Sequence, residues 1–163
     1  MSSRKLIGRV SATEKNPTTC DDFQFWLSDD TILSPFDIVR VENRSDDSVT
    51  YGVVQDILHI TDGTGHLSNY VSCDFGNVDT TPMTRRLSLS YAKVSVIHNT
   101  KENFMPVFEG SPVYTADNND IEIALGLDNI DEKTAIPAGL MKASNNVSVP
   151  IKYNGDFLIG PEG

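Results

Sequence analysis

Histidine, cysteine and closely paired carboxylates are the side chains of this chain with the clearest potential for chemistry. A metal site needs such ligands to converge at short spacing, and a nucleophilic site needs a serine or cysteine beside a base. Here no CxxC pair occurs, and adjacent acids are so common among 23 acidic residues that they indicate solvated turns. The sequence therefore predicts no catalytic residue, no metal and no cofactor in this chain. The histidines and cysteines are Cys20, His59, His66, Cys73 and His98, of which Cys73 with His66 is the one conceivable nucleophile–base pair.

A glycine-rich phosphate-binding loop is also missing from the sequence pattern. The chain has no GxxxxGK[ST] motif, and Gly63 with Gly65 is too short to replace one. Residues 157–160 (FLIG) have the pattern of a strand fragment that runs into Gly-Pro-Glu-Gly. A strand leading towards a nucleotide-binding core has this pattern, so we expect the chain to be the amino-terminal piece of a longer protein.

Charge argues against nucleic acid as a direct partner. The chain carries 13 basic and 23 acidic residues, a net charge of −10, whereas DNA binding depends on cations that neutralise phosphates. Arg85 and Arg86, with Lys93, form the basic cluster most worth naming, and exposed charge on a strand is ordinary. We therefore expect no direct nucleic-acid binding.

Cysteine usage and hydropathy bear on the compartment. Two cysteines are too few for a disulfide framework. The first residues lack the apolar stretch of a secretory signal, and no apolar run reaches the roughly 18 residues needed to cross a bilayer. These features predict a cytoplasmic protein with reduced thiols and no membrane association.

Alternation of apolar and polar residues is the main structural signal. Phe23, Phe25 and Leu27, for example, alternate with polar residues as a half-buried strand requires. Between Tyr91 and Ala92 the apolar phase shifts by one residue, which predicts a β-bulge. Strands are predicted in this way at residues 7–10, 23–27, 36–42, 49–53, 87–98, 121–127 and 147–153.

Residues 66–76 are better predicted as a helix, because Leu67, Tyr70 and Val71 recur at helical spacing before Gly76. We expect this helix to plug one side or end of a barrel, and residues 128–135 could hold one more helical turn. Asn154-Gly155 predicts a hairpin turn. The fold class predicted is mainly all-β: a closed or nearly closed antiparallel barrel of about six to seven strands with one or two short helices, in a single domain over residues 1–163.

Taken in order, eight segments resemble the amino-terminal HAS-barrel of HerA-like ATPases. The resemblance spans essentially the whole chain, and the order of the segments is more specific than any one of them. The segments are LIGRV (6–10), FDIVRVE (36–42), VTYGVVQD (49–56), LSNYVSCDFG (67–76), YAKVSV (91–96), VFEGSPV (107–113), IPAG (136–139) and VPIKY (149–153).

The resemblance implies a role in assembly. In that family a RecA-like motor domain follows the barrel and binds ATP and Mg²⁺, and the subunits form hexameric rings that translocate DNA. The barrels are then expected to form a collar that holds subunits together and docks an effector. That effector is a nuclease or a sirtuin-like NAD-degrading protein, in DNA processing or antiviral defence. No family site residue can be placed in this chain, which ends before any Walker A loop.

Two other classes of function compete with this expectation. A ligand- or nucleic-acid-binding barrel, of the OB or lipocalin type, would need a basic or aromatic-lined groove or a cavity. A free-standing enzyme would need a convergent acidic pair, for which the spacing gives little support. The assembly module is the preferred hypothesis.

Four residues are the candidates for subunit or partner contacts: Arg85, Arg86, Phe104 and Phe108. All four lie in segments with the composition of loops. For the two phenylalanines, packing in the core at one end of the barrel is an equally good interpretation.

Replacing Arg85 and Arg86 together by glutamate is expected to weaken ring assembly of the protein, because two cations at a subunit contact become anions. Sedimentation velocity measures the oligomer directly. An unchanged oligomer mass would remove both arginines from the contact.

Overall fold

A computed structural model describes residues 4–79 and 87–160 of the chain. Six antiparallel strands close into a barrel in the order β1-β2-β5-β4-β3-β6, with β6 pairing back onto β1. The mainly β fold class and the closed barrel are thereby confirmed. The strands are β1 (Leu6–Ser11), β2 (Asp22–Leu27), β3 (Ile38–Asn43), β4 (Ser48–Thr61), β5 (Ser88–Asn99) and β6 (Pro112–Thr115).

The inside of the barrel is packed with apolar side chains that come mainly from inward-facing residues of the strands. On β2, Phe23 and Phe25 point inward and are fully buried, while Gln24 and Trp26 point outward. The sequence alternation predicted this arrangement. The buried inner cluster consists of Ile7, Val10, Phe23, Phe25, Val39, Val41, Val54, Ala92, Val94, Val107 and Val113.

The predicted bulge between Tyr91 and Ala92 is wrong, because β5 pairs with β2 without interruption across these two residues. Irregularities occur instead between β4 and β5, where Gln55 on β4 and Ile97 on β5 have no opposite residue. Such extra residues bend a sheet and help it to close. The change of phase has another origin: Tyr91 faces outward, away from the inner cluster, whereas Ala92 faces inward.

Strands β4 and β5 extend beyond the wall of the barrel. Strand β3 pairs with β4 only as far as Val53, and β2 pairs with β5 only as far as Tyr91. Past these points residues 58–61 and 88–90 continue as a two-stranded ribbon. We call this ribbon the arm.

Beyond β6 the chain adds a second layer on the outside of the barrel. It contains the helix α2 (Asn118–Ala124), a short 3-10 turn (Leu127–Asn129) and a separate hairpin of β7 (Ala135–Lys142) and β8 (Ser148–Asn154). Ile38 and Tyr51 project from the outer face of the barrel into this layer. The second buried cluster consists of Ile38, Tyr51, Ala116, Ile121, Ala124, Leu127, Val147 and Val149.

The strand predicted at residues 121–127 is wrong, because a capping box starts helix α2 there. The Asp117 carboxylate accepts a hydrogen bond from the Asp120 backbone N–H at 2.9 Å, and the Asp120 carboxylate accepts one from the Asp117 N–H at 3.1 Å. Ile121 and Ala124, three residues apart, then share the buried face of a helix. The capping interactions thus determine a helix here, although the alternation of apolar and polar residues favours a strand. The helical turn expected at 128–135 occurs slightly earlier, at the 3-10 turn.

Two further helices differ from their sequence predictions. Helix α1 (His66–Ser72) begins where it was predicted, but it ends at Ser72 with Cys73 as its C-cap and not at Gly76. It buries none of its seven residues and so does not plug the barrel. The hairpin turn expected at Asn154-Gly155 and the strand expected at 157–160 are wrong, since helix α3 (Gly155–Ile159) begins there. The Asn154 side-chain oxygen caps this helix by accepting from the N–H of Asp156 at 3.0 Å.

None of the helices in the described part of the chain has the length and apolar character of a bilayer-crossing segment.

Replacing Gly52 by alanine is expected to destabilise the barrel by about 1–3 kcal/mol through overpacking. A Cβ at Gly52 would lie 2.3 Å from a methyl of Val94 and 3.0 Å from the carbonyl oxygen of Ser95. Urea unfolding measures the loss. Gly65→Ala is the matched control, because a Cβ there meets no atom within 4 Å. Equal stability of the two variants would contradict the packing described.

Candidate functional site

The loop of residues 100–111, between β5 and β6, carries the two phenylalanines singled out by the sequence. We call it the top loop. Phe104 is 63% exposed and Phe108 is 57% exposed, and Met105 between them is also exposed. Both phenylalanines are therefore surface residues, and the core interpretation is wrong. Val107 is the member of the loop that packs into the inner cluster.

Hydrogen bonds hold the top loop to the end of the barrel. The side chain of Asn99, the last residue of β5, accepts from the backbone N–H groups of Lys101 at 2.9 Å and Asn103 at 3.3 Å. The Asn103 side chain donates to the Asp46 carboxylate at 2.9 Å, and Lys101 donates to the Asp46 carbonyl oxygen. Hydrogen bonds from Ser48, together with the one from Asn103, lower the pKa of Asp46. The exposed phenylalanines thus stand on an anchored segment.

The anchor continues into the barrel as a buried polar network. The Asn99 side chain donates to the hydroxyl groups of Ser48 and Thr50, at 3.1 Å each. Asn43 donates to the same two hydroxyl groups at 2.9 and 2.7 Å. Because buried polar groups are costly unless they are paired, this network fixes the strand ends in one arrangement.

A groove of about 210 Å³ lies on the outer face of β2, β5 and β4. We call it the outer groove. Trp26 pairs with Tyr91 across β2 and β5, and Ile60 pairs with Leu89 across β4 and β5. Trp26, Ile60 and Leu89 are each close to half exposed. The lining residues are Ser11, Thr13, Asn16, Gln24, Trp26, Ile60, Leu89 and Tyr91.

Sequence reasoning missed the outer groove, although a signal for it was present. Leu89 and Tyr91 alternate out of phase with Ala92 and Val94, a pattern that both a bulge and a strand with two apolar faces produce. On a strand without a bulge, apolar residues in both phases mean that both faces are apolar. Trp26, in the outward phase of β2, carries the same signal.

In the second layer, several ionisable side chains meet at the buried carboxylate of Asp120. Its side chain is fully buried and accepts hydrogen bonds from Arg4 at 2.9 Å and 3.1 Å, Arg40 at 2.8 Å and the Tyr51 hydroxyl at 3.0 Å. Arg4 also lies 3.3 Å from Asp117. The N-terminal segment, β3, β4 and α2 are joined in this way at a single carboxylate.

The pKa shifts in this cluster determine which of its groups are charged at neutral pH. Although burial opposes it, hydrogen bonds from Arg4, the Asp117 backbone, Arg40 and Tyr51 lower the pKa of Asp120. Burial, with the Asp120 carboxylate beside it, raises the pKa of Tyr51 to about 12. Asp120 is therefore charged and Tyr51 neutral at pH 7. A carboxylate whose bonds are all directed at protein cations and donors stabilises structure; a general base needs a free lone pair facing a substrate.

The described part of the chain does not bring the other candidates for chemistry together. Arg85 and Arg86 lie outside the described residues. His66 and Cys73 stand at the two ends of α1, which places them roughly 10 Å apart along the helix axis at 1.5 Å per residue. Within residues 4–79 and 87–160, no group of three or more histidine, cysteine or acidic side chains could hold a metal ion.

Comparison with known proteins assigns this chain to no family. No protein-family model matches the chain, and no curated protein matches it.

Replacing Asp120 by asparagine is expected to lower the free energy of unfolding by about 3 kcal/mol at pH 7, because Arg40 loses its buried carboxylate partner and keeps only the exposed Glu42, 3.1 Å away. The folded-state pKa of Asp120 is depressed, so its stabilisation is present above the unfolded value of about 3.9 and is lost as pH falls through the folded value. The difference between wild type and D120N should therefore shrink in strong acid.

Urea titrations from pH 7 to pH 2 measure this. Glu122→Gln, which removes a charge from the same helix, is the control and should change stability by less than about 0.5 kcal/mol. A D120N deficit that stays constant down to pH 2 would refute the electrostatic origin.

Proposed function

We propose that this chain is the assembly and partner-docking barrel of a larger HerA-like ATPase. Its task is to hold neighbouring subunits, and an effector, in register while a separate motor domain hydrolyses ATP with Mg²⁺. The order of the eight resembling segments supports this family, and the closed barrel of six strands is compatible with it. The effector class proposed is a nuclease or a sirtuin-like NAD-degrading protein.

The observation that carries the proposal is the exposure of Phe104 and Phe108 on a firmly anchored loop. The six-stranded wall of the barrel is closed and offers no free strand edge, so association through the wall must use loops and outward side chains. Aromatic residues, phenylalanine among them, are enriched in protein interfaces. Here the anchoring through Asn99, Asp46 and Val107 means that little conformational freedom is lost on binding.

The barrel interior bears on the ligand-binding alternative. A lipocalin-like function needs a hollow barrel, whereas the inner cluster of this one is packed with eleven buried apolar residues. Any ligand would have to bind outside.

A second candidate function is favoured by the outer groove, which combines aromatic side chains with nearby cations. Trp26 and Tyr91 offer rings on which bases could stack, and Arg9 and Lys93 are their outward neighbours on β1 and β5. Stacking platforms beside cations are the pattern of single-strand-binding proteins. The net charge of −10 opposes this function, because it repels phosphates at long range.

The first test is the reading frame downstream of Gly163. The proposal requires a GxxxxGK[ST] motif soon after this residue, followed by a motor domain. An open reading frame that continues without such a motif would exclude the ATPase.

The second test replaces Phe104 and Phe108 together by serine in the whole protein encoded by that frame. Loss of two apolar anchors should weaken ring assembly by tenfold or more, since truncating a single hot-spot residue of an interface typically costs about 2 kcal/mol or more. Sedimentation velocity follows the ring. Ile32→Ser, which removes a side chain 78% exposed elsewhere on the surface, is the matched control. A ring as stable as that of the control variant would contradict the role of the top loop.

A further inference from the structure

The arm has a free edge along β4, where backbone groups point away from the ribbon. The N–H of Asp62 donates to the Leu87 carbonyl oxygen at 3.0 Å, so Asp62 faces β5. Alternate residues of an antiparallel strand direct their N–H and C=O groups to opposite sides. His59 and Thr61 therefore direct theirs away from β5. Strand β3 pairs with β4 only as far as Val53, and among the described residues neither group finds a backbone partner on that side.

This edge lacks the features that normally protect a free strand from other chains. Such protection comes from proline, lysine or a bulge in the edge strand. The hairpin of β7 and β8 has all three, namely Pro137 and Pro150, Lys142, and the register shift between Pro137 and Gly139. Residues 58–61 of the arm have none of them. The unpaired groups of an unprotected edge are complementary to another strand.

The opposite edge of the arm, along β5, is less open. Ser90 is partly buried there, and a cavity of about 180 Å³ is lined by Ser90 together with Ser28, Asp29 and Thr31 of the β2–β3 connection. That connection occupies part of the space that an added strand would need. Residues 59–61 on β4 are all exposed. Strand addition is therefore favoured at the β4 edge.

We propose that the arms of two copies of this chain pair edge to edge, antiparallel about a two-fold axis at Ile60. His59 of each copy then pairs with Thr61 of the other, which gives about four backbone hydrogen bonds. Ile60 meets its own copy, and Leu58 and Leu89 extend the same apolar face. The contact is isologous and closes on two copies. It uses neither the top loop nor a motor domain, and so goes beyond the proposed function.

Charge decides in favour of a second copy of the same edge. Two chains with a net charge of −10 repel each other, so a contact between them needs a surface without acids. Residues 58–61 (LHIT) and 88–90 (SLS) contain none. In the proposed pairing Asp62 lies roughly 13 Å from its own copy, beyond the screening length of about 8 Å at 0.15 M salt. Asp62 lies roughly 8 Å from Asp56 of the other copy, and Lys93 opposite Asp56 offsets that charge.

Ile60→Cys tests the register, because a residue on the two-fold axis meets its own copy. The Cα atoms of a non-hydrogen-bonded antiparallel pair are roughly 4.5 Å apart, which a disulfide can span. With the exposed Cys20 and Cys73 replaced by serine, mild oxidation should give a covalent dimer on a non-reducing gel. Leu89→Cys is the matched control. Its side chain is 45% exposed against 48% for Ile60, but about 14 Å, three strand spacings, would separate the two copies. It should cross-link at least about tenfold more slowly.

His59→Pro tests the backbone contact, since it removes an outward N–H and no hydrogen bond to β5. Combined with Ile60→Cys, it should slow cross-linking by about tenfold or more. His59→Ala keeps the N–H and should cross-link at the rate of Ile60→Cys alone. Replacing Phe104 and Phe108 by serine should also leave the rate unchanged, because the top loop takes no part in this contact. Urea unfolding of each variant shows that it is folded.

Three results would overturn this inference. The first is an Ile60→Cys variant that stays monomeric under oxidation. The second is equal cross-linking of Ile60→Cys and Leu89→Cys, which indicates random collision. The third is a His59→Pro variant that keeps the native unfolding transition and cross-links as fast as His59→Ala. If His59→Pro is unfolded, the comparison of the two cysteine variants decides alone. The ring test on Phe104 and Phe108 is independent of all three, so the proposed function and the arm contact can fail separately.

Discussion

Burial of the Asp120 carboxylate is the constraint on which the architecture outside the barrel depends. An isolated buried charge is prohibitively costly, so Arg4, Arg40 and Tyr51 must all reach it. Meeting this demand fixes the start of the chain, two barrel strands and helix α2 relative to one another. The helix and the hairpin behind it consequently cover the outer face of β3 and β4. The faces of β2 and β5 on the other side are left open to contacts with other molecules.

The top loop and the outer groove are exposed, but both are built on fixed structure. The top loop is tied to the barrel through Asn99, which is buried and satisfied on both of its side-chain functions. The outer groove is built on paired strands, whose register the inner cluster determines. A surface of this kind binds with little rearrangement, so its energetics are set by shape and charge more than by ordering of the chain. That property suits a component that keeps several partners in fixed register.

How far the sequence could predict this structure depends on which signals are local and which are not. Five of the six barrel strands, β1 to β5, follow from period-two alternation, because one face of each strand must line the interior. Strand β6 was not predicted, since four residues are too few to show a period and only pairing with β1 and β3 defines it. The prediction of a strand at 121–127 is wrong because the Asp117–Asp120 capping box starts a helix there. Counting the spacing of apolar residues does not detect a capping box. Exposure of Phe104 and Phe108 could not be predicted, since nothing in their own segment shows that Val107 alone enters the core. The outer groove required knowing that β5 has no bulge near Tyr91, which only its pairing with β2 reveals.

The arm has a mechanical consequence. Its two strands are continuous with β4 and β5 of the barrel wall, and a hydrogen-bonded ribbon resists bending in its own plane far better than a single chain does. Helix α1 stands at the far end of this ribbon, with all its residues accessible. Residues 62–65, which include Gly63 and Gly65, separate this helix from the ribbon. Because the strands themselves are unbroken between these points, a displacement at Ile60 reaches Leu58 and Tyr91 through the paired backbone.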